Sequence, residues 1–158
     1  MLMLAKQMDL PQWCIAAGFV RSAVWDYFHG FDVHTALDDV DLIYFNPLIS
    51  DETEDKLIES SLNAKLTVKW SVKNQARMHL RNSDQAYTST LDAMSYWPEI
   101  ETAVGITWKG GEFRLVSPFP LEQVLNCSVT LNPKRPKVLE FNRRISSKRW
   151  LEKWPKLK

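Results

Sequence analysis

The stretch from Asp39 to Val72 constrains the fold of this 158-residue chain more than any other. Asp39-Val40-Asp41-Leu42-Ile43-Tyr44-Phe45 has the β-branched and aromatic content of a strand. Its two-residue period sends Val40, Leu42 and Tyr44 to one face and Asp39, Asp41, Ile43 and Phe45 to the other. Ser50 to Leu66 reads as an amphipathic helix, with Asp51 and Glu54 at capping-box spacing and Leu57, Ile58, Leu62 and Leu66 along one stripe. Thr67 to Val72 then returns as a strand. Strand, long helical connection and strand predict a crossover unit and commit the chain to an α/β (α+β) architecture.

The flanking segments extend this frame. Trp13 to Ala17 is a short apolar run that feeds a turn at Gly18. Val20, Val24 and Phe28, with Trp25 beside them, then mark a helix that Gly30 closes as a left-handed cap. Downstream, Lys73 to Arg81 and Ser89 to Tyr96 each read as a short helix, the second stopped by Pro98. Thr102 to Trp108 and Glu112 to Val116 flank Lys109-Gly110-Gly111 as a hairpin. A short amphipathic piece follows Pro118 and Pro120, and a last helix from about Lys137 is expected to turn Val138, Phe141 and Ile145 inward. The sum is one domain over residues 1–158: a small mixed sheet of about five strands with flanking helices, mainly on one side.

Charge is unevenly spread along the chain. Residues 1–133 hold 10 Lys and Arg against 17 Asp and Glu, whereas residues 134–158 hold 10 against 2. A basic tail on an acidic body can seat a polyanion such as RNA, or it can dock on its own domain. Trp150 and Trp154, interleaved with Lys148, Arg149, Lys153 and Lys156, fit either use, and burial of two large rings favours docking. No run approaches the roughly 20 apolar residues of a membrane span. Cys14 and Cys127 are far apart in sequence and lack ligand-spaced partners, which argues against a zinc site or a disulfide framework and for a cytoplasmic setting. His29 and His34 have no metal-binding context, and neither a phosphate-binding GxxxxGK[ST] loop nor a dinucleotide-binding GxGxxG turn is present.

The residues that carry chemistry lie where the first strand, the glycine and the second strand meet. Two carboxylates two apart on a strand aim at one point, an arrangement suited to divalent cations that prefer oxygen ligands. Gly18 opens a strand-to-helix corner through which backbone amides and the positive end of a helix dipole can meet phosphate, and Arg21 stands one turn further on. A second group, Lys73, Arg77 and Arg81, falls at i, i+4 and i+8 and predicts a basic helical stripe next to the acids, with Asn74 among its neighbours.

Ala17-Gly18-Phe19-Val20-Arg21 followed by Asp39-Val40-Asp41-Leu42 resembles the Gly-Gly-x-Val-Arg-Asp and Asp-x-Asp signature of polymerase-β-like nucleotidyltransferases, in the form seen in tRNA nucleotidyltransferases and bacterial poly(A) polymerases. Over nearly its whole length the chain is similar to a bacterial family of stand-alone nucleotidyltransferase-like proteins. That likeness runs through Val24-Trp25-Asp26, Ile43-Tyr44-Phe45, Val72 to His79, Trp97-Pro98-Glu99, Pro118-Phe119 and Lys148 to Pro155. The resemblance implies a polymerase-β-like nucleotidyltransferase fold and an Mg²⁺-dependent (or Mn²⁺-dependent) transfer of NMP from an NTP to an acceptor hydroxyl. Asp39 and Asp41 would be catalytic and hold metal; Gly18, Phe19, Arg21, Lys73, Asn74 and Arg77 would bind the nucleotide. The acceptor class, whether RNA, protein or small molecule, stays open.

Three positions depart from that pattern. Ala17 stands at the first glycine, Ser22 at an aspartate of the tRNA-modifying branch, and Trp70-Ser71-Val72 at the triplet where many members carry a third carboxylate. A serine cannot replace a carboxylate as base or hard ligand. Asp92 and Glu101 are candidate substitutes. The rival expectation is a catalytically degenerate module of the same fold that binds RNA or a protein partner through residues 134–158.

Overall fold

The computed structural model describes residues 1–158. Five strands form one mixed sheet: β1 (Cys14–Ala16), β2 (Val40–Tyr44), β3 (Trp70–Asn74), β4 (Gly105–Lys109) and β5 (Glu112–Val116). Their spatial order is β3-β2-β1-β4-β5, with β2 and β3 parallel and the other neighbours antiparallel. The crossover expected between residues 39 and 72 is therefore present. Its helix is α3 (Thr53–Asn63), preceded in chain order by α1 (Leu2–Gln7) and α2 (Gly18–His29). The remaining helices are α4 (Gln75–Asn82), α5 (Thr90–Met94), α6 (Leu121–Val124), α7 (Val138–Lys148) and α8 (Trp150–Lys153).

The two-residue period of β2 sorts the two faces as expected. Val40, Leu42 and Tyr44 join Ile15, Trp70 and Val72 in the main core under Ala5 of α1 and Leu62 of α3. Ile43 packs on the opposite face with Cys14, Ala16, Met94 and Ala103, so helices cover both faces and not mainly one. Cys14 is fully buried there, and burial pushes its thiol pKa up to about 12, which keeps it inert.

Two boundaries and the burial of one helix differ from the sequence expectation. Strand β3 begins at Trp70, because Trp70 and Val72 pair with Val40 and Leu42, and it continues through Lys73 and Asn74. Helix α4 consequently starts at Gln75, where the Asn74 side chain accepts a hydrogen bond from the Ala76 N–H. Helix α7 buries none of its residues; Val138 is exposed, and Phe141 and Ile145 are only partly covered. The hairpin forms as expected, with Gly110 and Gly111 at φ +63° and +88°.

The exposed edge of β3 is closed by α3. Asp55, Glu59 and Asn63, one turn apart, accept hydrogen bonds from the N–H groups of Asn74, Val72 and Trp70 at 3.2, 3.0 and 3.0 Å. A helix periodicity of four is thus matched to a strand periodicity of two, and the edge N–H row is satisfied by side chains instead of another strand.

The C-terminal segment is docked. Trp150 and Trp154 are buried edge-on against Trp25 of α2, at ring-centroid distances of 5.5 and 5.1 Å. Trp154 Nε1 donates to Asp26 at 2.7 Å, and the Lys156 N–H donates to His29 Nε2 at 2.8 Å. His29 and Asp26 are therefore tail anchors. No helix is long and apolar enough to cross a membrane.

Candidate active site

The site is assembled by the β1–α2 corner, the start of β2 and the C-terminal helices. Ala17 turns the chain with φ 56° and ψ −121°, a conformation that favours glycine, while its N–H donates to Val104 O at 2.9 Å. Helix α2 starts at once at Gly18 with no side-chain cap, so its first amides and dipole end remain available to an anion. A Cβ built at Gly18 would meet only ordinary contacts, the nearest at 3.5 Å from Arg21, so the strained position of the corner is Ala17.

A cavity of about 230 Å³ opens at this corner. It is lined by Gly18, Arg21, Asp39 and Asp41, and its far wall comes from Arg144, Lys148, Trp150 and Lys153 of the tail. A second cavity of about 280 Å³ lies alongside, lined by Ser71, Lys73, Arg81, Arg135, Lys137 and Trp97 among others. Ala17, Asp41 and Arg144 border both.

Asp41 is the electrostatic centre. Burial raises its pKa, the neighbouring Asp39 carboxylate raises it further, and the Ser71 hydroxyl, Arg144 and Arg21 oppose the shift. Ser71 is its register partner on the parallel strand, so the position of the missing carboxylate is filled by a hydroxyl beside Asp41. Arg21 is buried under the cavity, where its Nη1 donates to Thr102 Oγ1 at 3.1 Å. Its guanidinium stacks 4.9 Å from the Trp25 ring and 4.4 Å from the Trp150 ring. Burial pulls its pKa down to about 10, still well above neutrality. Asp38, on the rim, is held to Lys148 at 3.0 Å, and that bond lowers its pKa.

The structure thus brings Gly18, Arg21, Asp39 and Asp41 to one cavity and sets Lys73 in the adjoining one. Phe19 lies in the first turn of α2, with its ring packed into the core. Asn74 and Arg77 are placed elsewhere. Asn74 is fully buried and bonded to the Asn46 backbone and its own helix start. Arg77 pairs with Asp55, whose other oxygen accepts from Tyr44 on the α3 face. The expected basic stripe is not formed, since Lys73 belongs to β3 and Arg77 faces away from the acids. The Asp92 carboxylate accepts from the Thr88 N–H while its own N–H donates to the Ser89 cap, and Glu101 accepts from Ser128 and Thr130, so neither stands beside Asp41.

Arg144 stands in no sequence motif, and Lys148 and Lys153 read from the sequence only as tail charges. The signal available was the basic excess after residue 133, which reads as a wall of this cavity once Trp150 and Trp154 are known to dock on Trp25.

A family model described as nucleotidyltransferase matches residues 3–158. The chain belongs to this nucleotidyltransferase family. A structure determined by NMR and described as revealing a CCA-adding enzyme head domain is 35% identical over 99% of this chain and 85% of that one, with a TM-score of 0.82. Two apo forms of a tRNA-processing enzyme share the fold at 14% and 15% identity, with TM-scores of 0.59 and 0.57. Here 99% of this chain covers only 43% and 41% of theirs. No curated protein matches the chain. Family and fold together support nucleotidyl transfer in general.

Proposed function

We propose that the chain transfers a nucleoside monophosphate from an NTP to an acceptor hydroxyl, using Mg²⁺ or Mn²⁺ held by Asp39 and Asp41. The observation that carries this reading is the convergence of both carboxylates, the uncapped start of α2 and the tail cations on one cavity. The donor set fits such a metal: two hard carboxylates share a partly buried place, and burial first, then the Asp39 charge, raises the Asp41 pKa, a cost that a bound cation would offset. Of the three carboxylates that line the cavity, Asp38 is paired with Lys148, which leaves Asp39 and Asp41 as the residues that would hold the metal. When bound, the metal neutralises triphosphate charge and polarises the reacting groups.

The chain's own residues do the rest. The α2 amides at Gly18 and Phe19 bind phosphate oxygens, and Arg21, locked between two indole rings, offsets charge from beneath. Lys148 and Lys153 close the outer wall over the β- and γ-phosphates. The acceptor enters from the second cavity, past Lys73 and Ser71, and RNA suits its excess of basic residues.

The rival module reading draws on Ser71, yet its interaction surface, the basic tail, is engaged with the domain. Lys148 pairs with Asp38, Arg144 with Glu99, and Lys156 Nζ with the Phe28 carbonyl. Incubation with each of four NTPs labelled at the α- or γ-phosphate, against RNA, protein and small-molecule fractions, tests the transfer. Label from the α-position should move and γ-label should not. Asp39→Asn and Asp41→Asn should each reduce transfer by more than the roughly 10–100-fold typical of an outer-shell loss. Transfer of γ-label, or α-transfer unaffected by both substitutions, contradicts the proposal.

A further inference from the structure

Glu99 is fully buried in the loop before β4, and only one of its oxygens is satisfied. Its Oε1 accepts from Arg144 Nε at 2.6 Å, whereas Oε2 has no partner. Burying a half-paired carboxylate is costly, so a helix with no buried residue of its own is tied to the body here by a bond of high desolvation cost. That bond fixes the direction of one guanidinium.

Gripping Arg144 through Nε leaves both Nη groups without protein acceptors, and these are the two donors that form a bidentate fork for phosphate. Arg144 borders both cavities, as Asp41 does, and its charge is among those that act on Asp41 and Arg21. Its guanidinium lies 5.8 Å from the Trp150 ring, so the tail packing that closes the first cavity also brackets the arginine. A group passing from a nucleotide in one cavity to an acceptor in the other must cross this junction. Lys148 and Lys153, by contrast, border the first cavity only.

We propose that Arg144 binds the α-phosphate of the nucleotide at the junction of the two cavities, and that Glu99 is the positioning residue that aims it. The assignment rests on the reading of the first cavity as the nucleotide site. It separates two kinds of cation in the tail: Lys148 and Lys153 hold the phosphates that leave, and Arg144 holds the phosphate that is transferred.

Two probes distinguish these roles: Mg²⁺ with α,β-methylene-ATP, which contains an α-phosphorus, and Mg²⁺ with inorganic pyrophosphate, which does not. Arg144→Gln should weaken binding of the nucleotide analogue roughly 10–100-fold, as loss of charge-assisted hydrogen bonds does, and leave pyrophosphate affinity within about twofold. Arg144→Lys, which retains charge and stem and guards against a misfolded glutamine variant, should recover only part of the loss because an ammonium lacks the fork. Glu99→Gln should give a smaller loss with the same selectivity. Unchanged analogue binding, equal losses for both probes, or full recovery by lysine would each overturn the assignment. If the wild type fails to bind the analogue, or the Asp39→Asn/Asp41→Asn variant binds it equally well, the nucleotide reading falls and this inference with it. Metal-dependent binding that ignores Arg144 overturns this inference alone.

Discussion

Asp41 holds its charge against its surroundings, and the cost is measurable without any substrate. Burial and Asp39 raise its pKa, so the folded protein holds that proton more tightly than the unfolded chain does. Its contribution to stability is therefore full below the ordinary carboxylate range and is lost as pH rises through the raised value. Asp41→Asn, uncharged throughout, should melt above the wild type at neutral pH in metal-free buffer, with the advantage shrinking toward about pH 4. Thermal melts across that range check this, and a variant less stable at neutral pH contradicts it. Ala17 offers a second test. Its φ of 56° with ψ −121° carries strain of about 1–3 kcal/mol, and glycine removes the strain while losing roughly 0.4–1 kcal/mol through unfolded-chain entropy. Ala17→Gly should thus stabilise by about 1 kcal/mol in chemical denaturation, and a destabilised variant would refute the account of the corner. Both acids, Gly18 and Arg21 were legible at this scale, because a strand period and a glycine corner are local properties. Arg144 and Glu99 were not, because 45 positions separate them and only packing brings them together.

Among the elements, α3 and β3 show how a boundary can hide. Lys73 and Asn74 read as the start of a helix because basic residues recur every four positions, yet pairing with Ile43 and Tyr44 keeps both in the strand. What extends the strand is the α3 ladder of Asp55, Glu59 and Asn63, whose partners are backbone N–H groups that no sequence pattern exposes. Asp55 also binds Tyr44 and Arg77, so Asp55→Ala strands a buried guanidinium and an edge N–H together. A loss of about 3–5 kcal/mol is expected, read by urea denaturation, and a loss under about 1 kcal/mol would show that the ladder contributes little. Helix α1 escaped notice for a different reason: it is six residues long with no side-chain cap, and only Ala5 is buried. At α8 the expectation of docking holds. Trp150→Ala should cost about 3–5 kcal/mol in the same measurement, since its ring packs on Trp25 and Arg21 alike, and a surface-like cost would contradict this.

At the scale of the whole molecule, the opposed charges of body and tail form one site instead of two surfaces. The tail's indoles pin it to α2, and its cations then face the carboxylates across the cavity. A chain ending at Lys148 would uncover Trp25 and Arg21, and it should lose its cooperative thermal transition as well as the outer wall of the corner cavity; a sharp transition near that of the full chain contradicts this. The mixed sheet, its crossover and its hairpin were readable in advance because each follows from periodicity and turn chemistry. The side on which the helices pack was not, since α5 covers the second face through Met94 in a contact that local pattern does not specify.

The central claim is that Asp39 and Asp41, facing the start of α2, hold a metal-bound nucleotide. Isothermal titration of α,β-methylene-ATP into the wild type and into Asp39→Asn/Asp41→Asn, each with Mg²⁺ and with the metal chelated away, tests it most directly. The account predicts saturable binding by the wild type with Mg²⁺ and at least a tenfold loss on chelation or in the double variant. Binding that is equal in all four titrations, or absent from all four, would contradict it.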